Sequence, residues 1–165
     1  LLKICQNFKI IPLDLAKTNF RKVDLKEGFS FEISEEIFNH HLIINLPILK
    51  MGKISASENI FKFLKKENYL GLKYLHSEEE ILENLKKALP EHLTLAEGVN
   101  IQKSNGQITF LGLILASFDT FNLDRVFAQI CQLKELPDSL KNVKIENIPI
   151  SGRQIEELKY DVEKF

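Results

Sequence analysis

The chain has 165 residues, 44% of them hydrophobic and 27% charged, and its 22 basic and 23 acidic side chains leave a net charge of -1. This length fits one domain with its own core, and the near-zero charge argues against a nucleic-acid-binding protein. No apolar run approaches the roughly 18 residues of a membrane-spanning helix, so we expect no membrane partner. The chain begins with Leu1 instead of Met, and we expect residues 1–165 to be one domain cut from a longer protein.

The first third of the chain predicts strands and one short helix. Residues 9–13 predict a strand that ends near Pro12, and the alternation over residues 20–33 predicts a hairpin. Ser34 is the predicted N-cap of a short helix that ends near residue 40. Residues 41–46, HLIINL, form an apolar run that is typical of a strand buried on both faces.

The rest of the chain alternates predicted helices and strands. Helices are predicted over residues 58–64, 77–89, 123–133 and 153–158. Strands are predicted over residues 93–96, 108–116 and 143–148. The helix after Ser77 has the strongest signal, because Ser77 and Glu80 are spaced as a capping box. This order predicts an α/β domain with a mainly parallel or mixed sheet flanked by helices.

The rare residue types limit the chemistry of the chain. Cys5 and Cys131 lie far apart in apolar segments, so we expect two buried, reduced thiols, as in a cytoplasmic protein, and a disulfide between them is the alternative. The chain has no C-x-x-C pair, so this segment alone holds no iron–sulfur cluster. The sequence has no H-x-x-x-H pair, dinucleotide fingerprint, P-loop or G-x-S-x-G turn. It therefore discloses no reaction and leaves open whether the chain is an enzyme.

One stretch carries a family resemblance. Residues 43–50, IINLPILK, resemble the I-N-L-P-K-L-K core of a bacterial and archaeal family known only as a domain of unknown function (three-six-two). Three further segments match the family in order: residues 56–61, 93–98 and 113–119, the last followed by Asp124. Some members are joined to ferredoxin-like iron–sulfur modules, so the resemblance implies such a module as a partner and a redox-associated role.

This chain also departs from the family pattern. The family's K-T-H is KMG at residues 50–52, and its K-N-L-F-G is ENIFK at residues 58–62. The aspartate of the family's D-G pair is Glu97. The resemblance is therefore that of a divergent member, and a degenerate, non-catalytic interaction or structural module is the alternative to a binding protein.

The loop after the predicted strand at residues 41–46 holds the candidate ligand residues. Ligands of α/β proteins collect beyond the carboxyl ends of strands, where helix N-termini favour anions. The residues predicted to bind a small anion are Asn45, Lys50, Lys53, Ser57 and Asn59. The alternatives are that the lysines are merely solvated and that Asn45 ties down the following turn.

Three further residues form a candidate metal site. Glu97 and Asp119 each follow a predicted strand, and His76 precedes the capped helix. In one cleft, two carboxylates and a histidine would bind a divalent metal or share a proton. The alternative for Asp119 is that it caps the next helix.

Overall fold

The computed structural model describes residue 5 and residues 7–103 and 106–160. Six strands and seven α-helices lie in this part of the chain, which confirms the predicted α/β class. The strands are β1 (Phe20–Asp24), β2 (Ser30–Ser34), β3 (Ile44–Asn45), β4 (Ile48–Lys50), β5 (Leu93–Gln102) and β6 (Ile108–Ser117). The helices are α1 (Glu36–Asn39), α2 (Ser55–Asn59), α3 (Lys66–Leu75), α4 (Glu78–Ala88), α5 (Thr120–Ile130), α6 (Asp138–Lys141) and α7 (Ile155–Leu158).

The strands form two sheets. β1 and β2 pair antiparallel, with Phe20 opposite Ser34, which confirms the predicted hairpin. The second sheet is mixed and has β5 at its centre. β3 and β4 run parallel to β5 along one side of it, and β6 runs antiparallel along the other.

β3 and β4 behave as one strand with an interruption at Pro47. Proline has no N–H to donate to the ladder with β5. Its carbonyl still accepts a hydrogen bond from the Glu97 N–H at 2.9 Å, so the chain continues to follow β5. Lys50 and the loop after it are therefore delivered to the same end of the sheet as the last residues of β5.

Burial alternates along β3 and β4, as a pleated strand requires. Asn45, Pro47 and Leu49 are buried on the inner face, whereas Leu46 and Ile48 are exposed on the other. The prediction that residues 41–46 are buried on both faces is therefore wrong for the described chain. The apolar pattern is present, but the helices cover only the inner face.

Two groups of buried side chains form the core. One joins the β1–β2 hairpin to α4, and its fully buried members include Phe31, Ile33, Ile81, Leu82 and Leu85. The other lies between the mixed sheet and α5, and it includes Leu49, Ala96, Ile101, Leu123, Phe127 and Ile130. Each large apolar side chain buried in this way contributes about 1.5–3 kcal/mol. No helix within the described ranges combines the length and apolar character that a membrane crossing requires.

Local signals place the two main helices. The Ser77 hydroxyl accepts a hydrogen bond from the Glu80 N–H, and the Glu80 carboxylate accepts one from the Ser77 N–H, so the predicted capping box is formed. Asp119 caps α5, because its Oδ1 accepts hydrogen bonds from the N–H groups of Phe121 and Asn122.

Several other element predictions are corrected. Residues 10–14 are irregular, and the predicted strand at 143–148 contains a short 3-10 helix, Ile145–Asn147. A short apolar stretch forms a strand only where another strand can pair with it. β5 instead extends to Gln102, beyond the predicted strand at residues 93–96, because β6 pairs with it over most of its length. The sequence patterns did not predict α3.

Candidate functional site

A buried polar network ties the first half of the sheet to α2. Asn45 is only 2% exposed. Its Nδ2 donates to the Ala56 carbonyl and to Thr94 Oγ1, each at 3.2 Å, and its Oδ1 accepts from Asn59 Nδ2. These contacts satisfy both ends of the Asn45 amide within the protein, so its function here is to position α2 against β3 and β5.

Asp124, on α5, completes this network. The residue is 1% exposed, and its two carboxylate oxygens accept hydrogen bonds from the N–H groups of Ala56 and Ser57 at 3.0 and 2.8 Å. Burial raises the pKa of Asp124 to about 7, and the hydrogen bonds from Ala56 and Ser57 oppose that rise. Asp124 therefore satisfies the first N–H groups of α2 without lying on that helix.

The residues predicted to bind an anion divide into three groups. Asn45 and Ser57 are buried inside the network, and Ser57 has no exposed surface. Lys50 and Asn59 line an open cavity of about 330 Å³ beside β4. Lys53 is exposed and lies outside the cavity lining.

The cavity beside β4 is part basic and part apolar. Its complete lining is Leu46, Ile48, Lys50, Ser55, Glu58, Asn59 and Lys62. The Lys50 N–H donates to Ser55 Oγ at 3.0 Å, which fixes the turn between β4 and α2. Burial raises the pKa of Glu58, and the positive charges of Lys53 and Lys50 oppose this. Two ammonium groups and two aliphatic side chains thus face one opening.

The structure does not bring the three predicted metal residues together. His76 follows α3, and its ring packs on Phe29 with centroids 4.2 Å apart. Glu97 Oε1 accepts hydrogen bonds from the N–H groups of Val99 and Asn100, at the irregularity in β5.

Asp119 caps α5 and forms an ion pair with Lys86. Within the described ranges, no group of three or more His, Cys, Asp or Glu side chains is arranged to hold a metal ion. Each of the three residues predicted for metal is instead held by a local contact of its own.

Sequence reasoning placed Asp124 only at the start of a helix and missed its position in the network. Asp119 takes the capping role, and Asp124 faces the core one turn later. A signal was present, since Asp124 lies between Leu123 and Phe127 on the buried face of α5. An acidic residue in such a stripe needs a hydrogen-bonding partner from elsewhere in the fold.

Comparison with known proteins gives one match. A family model with the description "Domain of unknown function (DUF362)" matches residues 1–129. These residues contain the whole mixed sheet, the polar network and all but the last residue of α5. No curated protein and no solved structure matches the chain.

Proposed function

The chain belongs to the family described as Domain of unknown function (DUF362), and within that family we propose that it binds a small organic anion in the cavity beside β4. The observation that carries this proposal is the placement of Lys50 and Lys62 around one opening with Leu46 and Ile48. The lysines would bind the charged group of a small organic anion, and the two aliphatic side chains would pack against its hydrocarbon chain.

Charge favours an anion in this cavity. Two lysines and one carboxyl group, Glu58, line it. Even when Glu58 is ionised, its single negative charge compensates only one of the two lysine charges. A carboxylate or phosphate would therefore meet an excess of positive charge, whereas an amine would be repelled.

Size and rigidity limit the ligand. A volume of about 330 Å³ is at the lower end of ligand sites, so a molecule of a few carbon atoms fits best. Asn59 on the cavity wall is held by Asn45, so part of the binding surface is fixed before a ligand arrives. Ion pairs at exposed lysines contribute about 0.2–1 kcal/mol each, so we expect the affinity to be no tighter than millimolar.

NMR titration of the isotope-labelled 165-residue chain with butyrate, inorganic phosphate and butylamine tests the proposal. We expect butyrate to shift amide signals in β4 and α2, phosphate to shift fewer of them, and butylamine to shift none. The double variant Lys50→Gln with Lys62→Gln is expected to weaken butyrate binding about 2- to 30-fold, as two ion pairs of this strength imply.

The matched control is Lys144→Gln, which removes an exposed lysine outside the cavity. It should leave the butyrate titration unchanged. The proposal is refuted if butyrate causes no shifts near β4, if butylamine causes the same shifts, or if Lys144→Gln weakens binding as much as the double variant does.

A second candidate function is that of a non-catalytic interaction module. One observation favours it: the outer face of the mixed sheet carries exposed apolar side chains on β3, β4 and β6. This function needs no ligand in the cavity, and it requires a partner that covers the sheet.

A further inference from the structure

The ligand proposal does not explain the outer face of the mixed sheet. Six side chains on this face are 47–74% exposed: Ile44, Leu46, Ile48, Ile108, Phe110 and Ile114. We call this surface the open face. α/β sheets with parallel strands normally have both faces covered, and monomers rarely expose apolar patches of more than a few hundred Å².

Strand register shows that these side chains share one surface. Ile48 lies opposite Glu97 on β5, and Glu97 lies opposite Ile114 on β6. Side chains directly opposite each other on neighbouring strands point to the same side of a sheet. In the same way, Lys50, Gln102 and Ile108 form a second row across the three strands.

The area of the open face matches one half of a stable interface. At about 60% exposure, each of the six side chains offers roughly 100 Å², so together they offer about 600 Å² of apolar surface. A standard interface buries about 800 Å² per partner, of which 56–65% is apolar. The open face therefore supplies as much apolar surface as one partner of a stable dimer.

The charges on the open face suit a second copy of the same chain. Among the strand residues that point outward, Lys50 and Glu97 are the charged ones, and their charges cancel. A two-fold contact places a patch against itself, so a patch with charges of mainly one sign would repel its copy. A nucleic acid or an anionic lipid surface would instead require a basic face.

We propose that the open face packs against the open face of a second copy around a two-fold axis. The two sheets would lie about 10 Å apart, as in other face-to-face sheet packings, with the helices of each copy on the outside. This inference rests on the second candidate function and does not require anion binding. Because Leu46, Ile48 and Lys50 belong to both surfaces, its test uses β6, which is not part of the cavity lining.

Analytical ultracentrifugation of the 165-residue chain between 1 and 100 μM tests the proposal. We expect a dimer of twice the 19.1 kDa chain mass. The double variant Ile108→Glu with Ile114→Lys keeps the net charge and should raise the dimer dissociation constant at least 100-fold. Its circular dichroism spectrum should stay unchanged, because both side chains are exposed in the single chain.

Tyr74→Glu is the matched control, since Tyr74 is an exposed apolar residue on α3 that lies outside the open face. It should remain dimeric. A monomer at 100 μM, a dimer that the double variant does not disrupt, or a dimer that Tyr74→Glu disrupts equally would overturn the proposal. Open-ended aggregates would also overturn it, since a two-fold contact closes at two copies. Lys62→Gln should weaken butyrate binding and leave the dimer intact, so the two proposals can fail separately.

Discussion

The substitution Asp124→Asn replaces the buried carboxyl group whose two oxygens accept hydrogen bonds from α2. Asparagine keeps one oxygen, which can accept from either the Ala56 or the Ser57 N–H, but its amide NH₂ cannot accept from the other. An unsatisfied buried N–H costs about 1–3 kcal/mol. We therefore expect the variant to be less stable than the wild type and to fold to the same structure.

The difference in stability between the wild type and Asp124→Asn should also depend on pH. The pKa of Asp124 is about 7 in the folded chain, against an ordinary value of 3.8. The folded protein therefore holds this proton more strongly than the unfolded chain, and stability falls as the pH rises from about 4 to about 7. Between pH 5 and pH 7 this loss is about 2 kcal/mol, because the slope of about 1.36 kcal/mol per pH unit falls to half as the pH reaches the folded pKa. Asparagine does not titrate, so the stability difference between wild type and Asp124→Asn should shrink by about that amount by pH 8.

Urea unfolding followed by circular dichroism at pH 5, 6, 7 and 8 measures this difference, since the chain has no tryptophan to report by fluorescence. Asp138→Asn is the control. The Asp138 side chain is 79% exposed, and a hydrogen bond from Lys141 lowers its pKa, so it stays ionised across this range. A wild-type curve that runs parallel to the Asp124→Asn curve from pH 5 to pH 8 would refute the reasoning.

Two further substitutions test the contacts that fix the candidate site and α4. Asn45→Ala leaves two buried groups, the Ala56 carbonyl and the Thr94 hydroxyl, and the half-buried Asn59 amide without their partner. The unfolding free energy should therefore fall by about 2–4 kcal/mol in urea titrations. Asn100→Ala, at an exposed position on β5, should change it by under about 0.5 kcal/mol, and equal losses would contradict the network. Ser77→Ala breaks the capping box with Glu80, so the unfolding free energy should fall by about 1 kcal/mol in the same titrations. An unchanged urea midpoint would show that the cap does not stabilise α4.

Part of the candidate site could be predicted from the sequence. The turn after an apolar strand pointed to Lys50 and Asn59, which the structure places at one cavity. The role of Asp124 could not be found in this way, because Asp124 and Ala56 are 68 residues apart and meet only when α5 packs beside α2. The predicted meeting of His76, Glu97 and Asp119 failed for the same kind of reason. Their positions in the chain showed that each follows or precedes an element, but not which ends of those elements lie together.

Interactions between residues close together in the chain determined the elements that the sequence predicted best. The hairpin, the capping box of α4 and the apolar stripe of α5 depend on residues a few positions apart, so they were readable from the sequence. Tertiary contacts decided the rest. β5 continued through a polar segment because β6 supplied its hydrogen bonds. The run at residues 41–46 was apolar on both sides, yet only packing against helices decides which side is covered. That is why Ile44 and Leu46 were predicted to be buried in the core but lie on the open face of the folded chain.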